Sequence, residues 1–249
     1  MPKFFVNSNQ IKNNKIEIIN QDVKHIRTVL RAKIGDEINI CDNQSKKNYI
    51  CNIIEINKEK IICQIKEEAK ENTESNIKVT IFQGLPKFDK MEFIIQKAVE
   101  LGVYDIEPVE MKRCVVKLDE KDKPKKISRW QKISEVAAKQ CGRDIIPQIK
   151  NIINLKNICN LIEKYDIVLV AYENEKNNTL KNEIEKLKNN KKENKKIGII
   201  IGPEGGLEKS EVEFLNQNGA KIITLGKRIL RTETASLNIL SILMYELEN

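Results

Sequence analysis

Two glycine-containing loops in the C-terminal half hold the residue types with the clearest chemistry. The first is GPEGG at 202–206, which follows the apolar run IGIII at 197–201 and precedes a helical pattern. Glycines between a buried strand and a helix let a ligand approach the backbone closely at the carboxyl edge of a sheet. Glu204 would repel phosphates, so the loop favours a neutral or cationic nucleoside ligand over a nucleoside triphosphate. A tight turn that uses its glycines only for backbone geometry is the alternative.

The second loop is LGKRILRTETA at 225–235, which contains Arg228 and Arg231. Only seven of the 44 basic residues are arginine, and the planar guanidinium fork binds a phosphate or an imide edge at two points. Thr232 is predicted to cap the following helix, and Glu233 suits the positive end of the helix dipole. A capped amphipathic helix preceded by solvated arginines is the alternative.

The elements that must position these loops alternate between strands and helices, which predicts an α/β domain with a parallel sheet covered on both faces. The run 197–201 is apolar on both faces, so we expect it at the centre of the sheet. The stretch 173–196 is rich in Asn, Lys and Glu and is predicted to be a solvated helix flanked by loops. The other predicted strands lie at 77–83, 104–110, 166–172 and 221–225, and the other predicted helices lie at 89–101, 127–141, from the GPEGG loop to about 217, and 232–247.

The N-terminal part has a different pattern of short β-branched runs separated by Asn, Gly, Asp and Lys. This pattern predicts a small β-barrel or sandwich over residues 1–70. The charged, polar residues 71–76 are predicted to be a linker, and 77–249 a second domain. The β-branched runs lie at 15–19, 37–41, 48–54 and 60–65.

One helical pattern interrupts these strands at 22–31. Asp22 is the predicted N-cap, and Gly35 ends the turn that follows. Residues three and four apart lie on one helical face, so the segment should have one apolar and one basic face. The apolar face comprises Val23, Ile26, Val29 and Leu30, and the basic face comprises Lys24, Arg27 and Arg31.

The charge balance of the chain points to a polyanionic partner. The 249 residues include 44 basic and 36 acidic side chains, a net charge of +8. Nine basic and three acidic residues are concentrated in 112–132, a local charge of +6. No signal peptide or long apolar run is present, which predicts a cytoplasmic protein without membrane spans. Six cysteines without a CxxC pair and a single histidine, His25, predict no metal site, buried thiols and a packed or capping histidine.

Five motifs, taken in order, resemble the RsmE family of 16S ribosomal RNA methyltransferases. The two C-terminal loops carry the most specific of them, IGPEGG and LGxRILRTETA. The resemblance spans nearly the whole chain. The other three motifs are HIRTVLR at 25–31, KFDKMEFIIQKAVELGV at 87–103 and AAKQCGR at 137–143, the last with Lys139 and Cys141 where the family often has Glu and Ser.

This resemblance implies a fold and an activity. The family belongs to the SPOUT class, so we expect a C-terminal SPOUT domain with a deep trefoil knot, an N-terminal PUA-like β-barrel that helps to dock RNA, and a homodimer. The implied reaction transfers a methyl group from S-adenosylmethionine to N3 of a specific uridine in 16S ribosomal RNA, free or within the small subunit. An RNA-binding protein of the same fold without transfer activity is the alternative, and the intact loops favour the enzyme.

The chemistry of this implied reaction suggests roles for individual residues. Arg231 is expected to orient and stabilise the uracil, while Glu233 accepts the N3 proton or fixes that arginine; bracing of the knot by both is the alternative. Glu173 or Glu204 would counter the sulfonium of the cofactor or hold its ribose hydroxyls. By motif position, the cofactor-binding residues are Tyr172, Glu173, Ile201, Gly202, Pro203, Glu204, Gly205, Gly206, Leu225, Gly226, Ile229 and Leu230.

Basic residues outside these loops are expected to bind RNA phosphates, each adding to a salt-sensitive affinity. Arg143 belongs to a family motif and is expected to contact RNA or the second subunit. Solvated surface charges are the alternative for most of the lysines. The expected RNA-binding residues are Lys24, Arg27, Arg31, Arg113, Lys117, Arg129 and Arg143.

Overall fold

The computed structural model of the protein describes residues 2–69, 72–190 and 192–248. The chain forms two compact units, one of Met1–Glu74 with Ala138–Ile146 and one of Ser75–Ala137 with Pro147–Asn249. The grouping of 138–146 with the first unit was not predicted from the sequence. The domain ranges 1–70 and 77–249 stay predictions, and residue 71 of the predicted linker 71–76 lies outside the described residues.

The first unit contains a six-stranded sheet in the order β1-β4-β5-β6-β3-β2. Its strand pairs are antiparallel except for the parallel pair β1–β4. The four predicted strands are confirmed, whereas two short ones were missed. The strands are β1 (Lys3–Val6), β2 (Ile11–Lys12), β3 (Lys15–Ile19), β4 (Glu37–Asp42), β5 (Asn48–Ile56) and β6 (Lys60–Ala69).

The predicted helix of this unit is irregular. It consists of α1 (Gln21–Lys24) followed directly by a π-helical turn at His25–Val29. Val23 and Ile26 are buried as predicted, but Val29 is 68% exposed, which contradicts its place on the apolar face. The π-helical turn has more residues per turn than an α-helix, so α-helical spacing misplaces Val29, while Leu30 is partly buried against the core as predicted.

Asp22 does not cap this helix, contrary to the prediction. The helix begins at Gln21 after Asn20, and Asp22 lies inside its first turn. The carboxylate of Asp22 instead accepts a hydrogen bond from Nζ of Lys139 at 2.8 Å. The lysine that departs from the family motif therefore has an ion-pair partner within the first unit. His25 packs edge-on against the Phe4 ring at a centroid distance of 5.9 Å, in agreement with a packing role.

The second unit contains a parallel sheet in the order β10-β8-β7-β12-β11-β13, with β9 paired to β8. The central place predicted for the 197–201 run is confirmed, because β12 lies between β7 and β11 and Ile197–Ile201 is buried. The strands are β7 (Lys78–Gly84), β8 (Asp105–Glu110), β9 (Gln148–Ile149), β10 (Ile153–Asn154), β11 (Ile167–Ala171), β12 (Lys196–Ile201) and β13 (Lys221–Ile223).

The helices of the second unit lie where they were predicted, apart from one short helix that was missed. The helix within 173–196, which was predicted to be solvated, instead buries Leu180, Ile184 and Leu187. One boundary differs: the helix predicted to start at 127 begins at Lys123, where Pro124 suits a first turn. Apolar residues of the second helix, Met91, Ile94, Ile95, Ala98 and Val99, are all buried as predicted. The helices are α2 (Lys90–Glu100), α3 (Lys123–Cys141), α4 (Leu155–Cys159), α5 (Leu180–Asn189), α6 (Lys209–Gln217) and α7 (Thr232–Leu247). The last residues of α3, from Ala138, belong to the first unit.

The order of strands in this sheet brings the candidate functional loops together. β12, β11 and β13 are neighbours and parallel, so their carboxyl ends lie at one edge. The chain leaves this edge through the segments after Ala171, Ile201 and Ile223. This is the edge at which α/β sheets bind ligands.

Candidate active site

The three loops that follow β11, β12 and β13 line one cavity of about 510 Å³. Its wall consists largely of loop backbone and small or apolar side chains, with a few charged groups. All twelve residues that motif position assigned to cofactor binding lie in this wall: Tyr172, Glu173, Ile201, Gly202, Pro203, Glu204, Gly205, Gly206, Leu225, Gly226, Ile229 and Leu230. The sequence reasoning missed Lys90, which lines the same cavity.

A buried hydroxyl joins three of the elements around the cavity. Oγ1 of Thr232 donates a hydrogen bond to the carbonyl of Gly202 at 2.7 Å and accepts one from Nε2 of Gln83 at 2.9 Å. Thr232 was predicted to be the N-cap of α7, but Arg231 occupies that position and Thr232 is the first helical residue. The hydroxyl therefore ties the end of β7 and the GPEGG loop to the start of α7 rather than capping the helix.

Close backbone packing holds the GPEGG loop in place. A Cβ at Gly84 would lie 2.7 Å from the backbone nitrogen of Pro203, so only glycine fits at the end of β7. Gly206 has a φ of 69°, in the left-handed region that favours glycine. A Cβ there would lie 2.8 Å from Oε1 of Glu173, so the carboxylate of Glu173 lies directly against the loop. The glycines thus serve both turn geometry and close approach.

Lys90 lies between two of the carboxylates at this site. Its Nζ is 3.1 Å from Oε1 of Glu204 and 3.4 Å from Oε2 of Glu233. Burial raises the pKa of Glu204, but hydrogen bonds from its own backbone N–H, the N–H of Lys87 and Lys90 outweigh this and lower it overall. The hydrogen bond to Glu204 raises the pKa of Lys90. Both groups are therefore charged at neutral pH.

The two residues predicted to be catalytic occupy different positions. Arg231 is exposed and lines the cavity. The Glu233 side chain is only 17% exposed, and it pairs with Lys90 rather than with Arg231. Lys90 belongs to the family-like motif KFDKMEF, but a single lysine in a lysine-rich chain carries no signal of its own.

The basic segment 112–132 starts against the GPEGG loop. Nη1 of Arg113 donates a hydrogen bond to the carbonyl of Gly205 at 2.9 Å, while the rest of the side chain is exposed. The backbone N–H of Lys112 donates to Oε1 of the buried Glu211 at 2.8 Å. The segment predicted to bind RNA is thus fastened to the rim of the cavity within the second unit.

The other predicted RNA-binding residues differ in exposure. Arg129 pairs with Glu92 at 2.7 Å, yet its side chain remains 63% exposed. Arg143 is only 6% exposed, and its guanidinium pairs with Glu74 at 2.6 Å inside the first unit, so it is not part of an exposed basic surface in this structure. The remaining predicted residues are exposed: Lys117 in the second unit, and Lys24, Arg27 and Arg31 in the first.

The cysteines behave mainly as small apolar residues. Four of the six are buried, and burial raises the pKa of Cys51 and Cys63 to about 12. Cys141 is exposed, so the expectation of buried thiols is wrong there.

Within 2–69, 72–190 and 192–248, no group of three or more His, Cys, Asp or Glu side chains is placed to hold a metal ion. Helices in the same described ranges are too short or too polar to cross a membrane.

Residues 73–244 match the family described as RNA methyltransferase domain, and residues 18–66 match the RNA methyltransferase PUA domain. These matches, together with the loop-lined cavity, define an RNA methyltransferase with a PUA domain.

Similar proteins narrow this class. The chain is 38% identical over 231 residues to the ribosomal RNA small subunit methyltransferase E of Bacillus subtilis, covering 93% of this chain and 90% of that protein. The crystal structure of ribosomal RNA small subunit methyltransferase E from Neisseria gonorrhoeae, bound to S-adenosyl methionine, aligns with a TM-score of 0.85 at 29% identity, covering 98% of this chain and 97% of that one.

A putative methyltransferase from Legionella pneumophila, in complex with the cofactor SAM, aligns with a TM-score of 0.84 at 27% identity, covering 98% and 96% of the two chains. The chain belongs to the ribosomal RNA small subunit methyltransferase E family. The resemblance found in the five sequence motifs is therefore confirmed.

Replacing Thr232 by Val should destabilise the second unit, because the isosteric side chain leaves the carbonyl of Gly202 without its buried donor. We expect the free energy of unfolding to fall by about 2 kcal/mol, in the range for an unsatisfied buried polar group. Urea denaturation measures the change. Thr232→Ser is the matched control, because it keeps the hydroxyl and should cost about 1 kcal/mol or less for the lost methyl. Equal losses in the two variants would contradict a role for this hydrogen bond.

Proposed function

We propose that the protein transfers the methyl group of S-adenosylmethionine to N3 of a specific uridine in the 16S ribosomal RNA of the small subunit. The protein is an S-adenosylmethionine-dependent methyltransferase of small-subunit ribosomal RNA. The single observation that supports the finer assignment is the placement of Arg231 at the wall of the loop-lined cavity. We also infer that the reaction takes place in the cytoplasm, on free RNA or on the assembled subunit.

The cavity fits the proposed cofactor in size and in chemistry. A space of about 510 Å³ is in the usual range for a small-molecule site. Backbone around Gly202, Gly205 and Gly226 suits the close approach of an adenosine. When bound, the cofactor supplies an electrophilic methyl group on a positively charged sulfur. The residues of this chain would hold that group and align the uracil with it.

We further propose that the second unit contains a deep trefoil knot. β13 lies on the far side of β11 from β12, while α7, which follows it, packs on α2, β7 and β12. The chain must therefore cross back over the carboxyl edge of the sheet through the loop that ends at Arg231. A crystal structure whose backbone trace closes without threading would contradict the knot.

Uridine N3 carries a proton and must present a lone pair in line with the methyl–sulfur bond. Arg231 is proposed to donate two N–H groups to the uracil edge, where negative charge develops on the oxygens beside N3. Glu233 is proposed to accept the N3 proton as the new N–C bond forms and the methyl–sulfur bond breaks. The electron pair of the broken bond stays on sulfur, so charge and atoms balance.

The assignment is tested by methyl transfer to ribosomal subunits from a strain that lacks the protein. We expect N3-methyluridine in the nucleoside mass spectrum of the small-subunit RNA. A methylated nucleoside of another kind would overturn the position and leave the enzyme class intact. The alternative, an RNA-binding protein of this fold without activity, predicts no methyl transfer and no heat of binding for S-adenosylhomocysteine in calorimetry.

Arg231→Lys keeps the positive charge and removes the planar, two-point donor geometry, so it separates the effects of the two. We expect kcat to fall about 10- to 100-fold, since a lysine cannot donate two parallel hydrogen bonds to the uracil edge. The affinity for S-adenosylhomocysteine should stay within about twofold, measured by calorimetry. Unchanged turnover with normal cofactor binding would contradict the role of the guanidinium fork. An equal loss of kcat and of affinity for S-adenosylhomocysteine would instead assign Arg231 to cofactor binding or to bracing the loop.

We propose that Glu173, rather than Glu204, counters the sulfonium. Glu204 is paired with Lys90, whereas within the described parts of the chain no Lys, Arg or His forms an ion pair with Glu173. Glu173 also lines the cavity against Gly206. Its negative charge is therefore free to interact with a cation in the cavity.

Glu173→Gln should weaken S-adenosylmethionine binding about three- to tenfold and leave S-adenosylhomocysteine within about twofold, because only the former has a positively charged sulfur. Calorimetry with both ligands gives the ratio of affinities. Glu185→Gln, which removes an exposed carboxylate on α5, is the control and should leave the ratio unchanged. An equal loss for both ligands would instead assign Glu173 to the ribose hydroxyls.

Two exposed basic regions are proposed to bind the RNA. One is the segment 112–132 with Arg113, Lys117 and Arg129, and the other is the PUA domain with its exposed Lys24, Arg27 and Arg31. Each phosphate contact adds to the slope of affinity against salt. Neutral substitutions in either region should lower that slope in a filter-binding titration, and an unchanged slope would contradict the proposal.

We also propose that the protein is a homodimer that pairs through the second unit. Phe88 is 89% exposed, Phe93 on α2 is 48% exposed and Tyr245 on α7 is 80% exposed. Phe88 lies just before α2, and α2 packs against α7; exposed aromatic side chains on adjoining elements are typical of a protein interface. A monomer in sedimentation equilibrium at micromolar concentration would contradict the dimer.

A further inference from the structure

The carboxylate of Glu233 lies next to the ammonium of Lys90. Lys90 is the first residue of α2, a helix whose backbone is anchored by the buried Met91, Ile94 and Ile95. Its side chain is 26% exposed, and the ammonium lies between Glu204 and Glu233. The anchored helix thus places one positive charge between the GPEGG loop and the first turn of α7.

The two carboxylates differ in how many partners they have. Oε1 of Glu204 also accepts a hydrogen bond from the backbone N–H of Lys87 at 3.0 Å, so Glu204 keeps a tether without Lys90. For Glu233, the ammonium of Lys90 is the single ion-pair partner within 2–69, 72–190 and 192–248. Its Oε2 is buried and receives no other hydrogen bond in those ranges. The orientation of Glu233 therefore depends on Lys90.

We propose that Lys90 is a positioning residue for methyl transfer, which holds the Glu233 carboxylate in the orientation that receives the N3 proton. This inference rests on the proposed function of Glu233. Lys90 acts through Glu233 and does not itself take the proton. Without it, two negative side chains that are 26% and 17% exposed would face each other unpaired, and like charges at such sites repel. Glu233 would then swing away from its working position.

The test is a double-mutant cycle in the methyl-transfer assay. Lys90→Met keeps the length of the side chain and removes its charge, and we expect kcat to fall about tenfold or more with each KM within about threefold. In a Glu233→Gln background, Lys90→Met should change kcat by less than about twofold, because its target is already neutral. In a Glu204→Gln background, the loss should persist. A residue that only stabilises the fold would give the same loss in all three backgrounds.

Control variants keep each outcome decisive. Lys97→Met removes another ammonium from α2, one that pairs with Glu100, and should retain the kcat of the wild type. If Lys90→Met does not fold, as judged by thermal unfolding, Lys90→Gln replaces it in the same cycle. Wild-type kcat in the Lys90 variant, or equal losses across the backgrounds, would overturn the proposal. The product is identified separately: a product other than N3-methyluridine would refute the proposed position, while the cycle on total methyl transfer would still test Lys90.

Discussion

The active-site region depends on one buried hydroxyl. Oγ1 of Thr232 accepts from the amide of Gln83 and donates to the carbonyl of Gly202, so three segments distant in sequence share one hydrogen-bonded atom. Loss of this hydroxyl would leave the carbonyl of Gly202 without its donor, and an unpaired polar group costs most where water is excluded. The strand order brings the loops to one edge, and this hydroxyl sets the register in which they meet.

The charges at the site follow from that arrangement. Once the start of α7 is held against the GPEGG loop, Glu204 and Glu233 come close enough to share the ammonium of Lys90. The lining of the cavity contains the carboxylates of Glu173 and Glu204 beside four basic side chains, those of Lys90, Lys227, Arg228 and Arg231. Lys90 pairs with Glu204, whereas Glu173, which lies against Gly206, forms no ion pair within the described residues. It is therefore the carboxylate proposed to face the cationic sulfur of the methyl donor.

The sequence predicted the second unit well because its signals are local. The apolar run of β12 and the glycines of its loop follow from burial and turn geometry, and neither needs knowledge of distant residues. The failures come from contacts that are remote in sequence. Asp22 and Thr232 are both good N-cap residues by type, yet each side chain bonds to groups distant in sequence. Asp22 pairs with Lys139, and Thr232 bonds to Gln83 and Gly202. Lys90 was missed for the same reason, since its ion-pair partners, Glu204 and Glu233, are distant in sequence.

The arginines show where sequence reasoning ends. In a chain that uses lysine for most positive charges, a retained arginine suggests that the planar fork is needed, but not which group it binds. Arg143 uses its fork on the Glu74 carboxylate, in a nearly buried pair where the exact geometry of both hydrogen bonds offsets the cost of desolvation. Arg231 is exposed at the cavity with its fork open to a ligand. The two-point donor geometry of arginine thus serves an ion pair in the interior of one unit and the proposed substrate site of the other, and burial distinguishes Arg143 from Arg231.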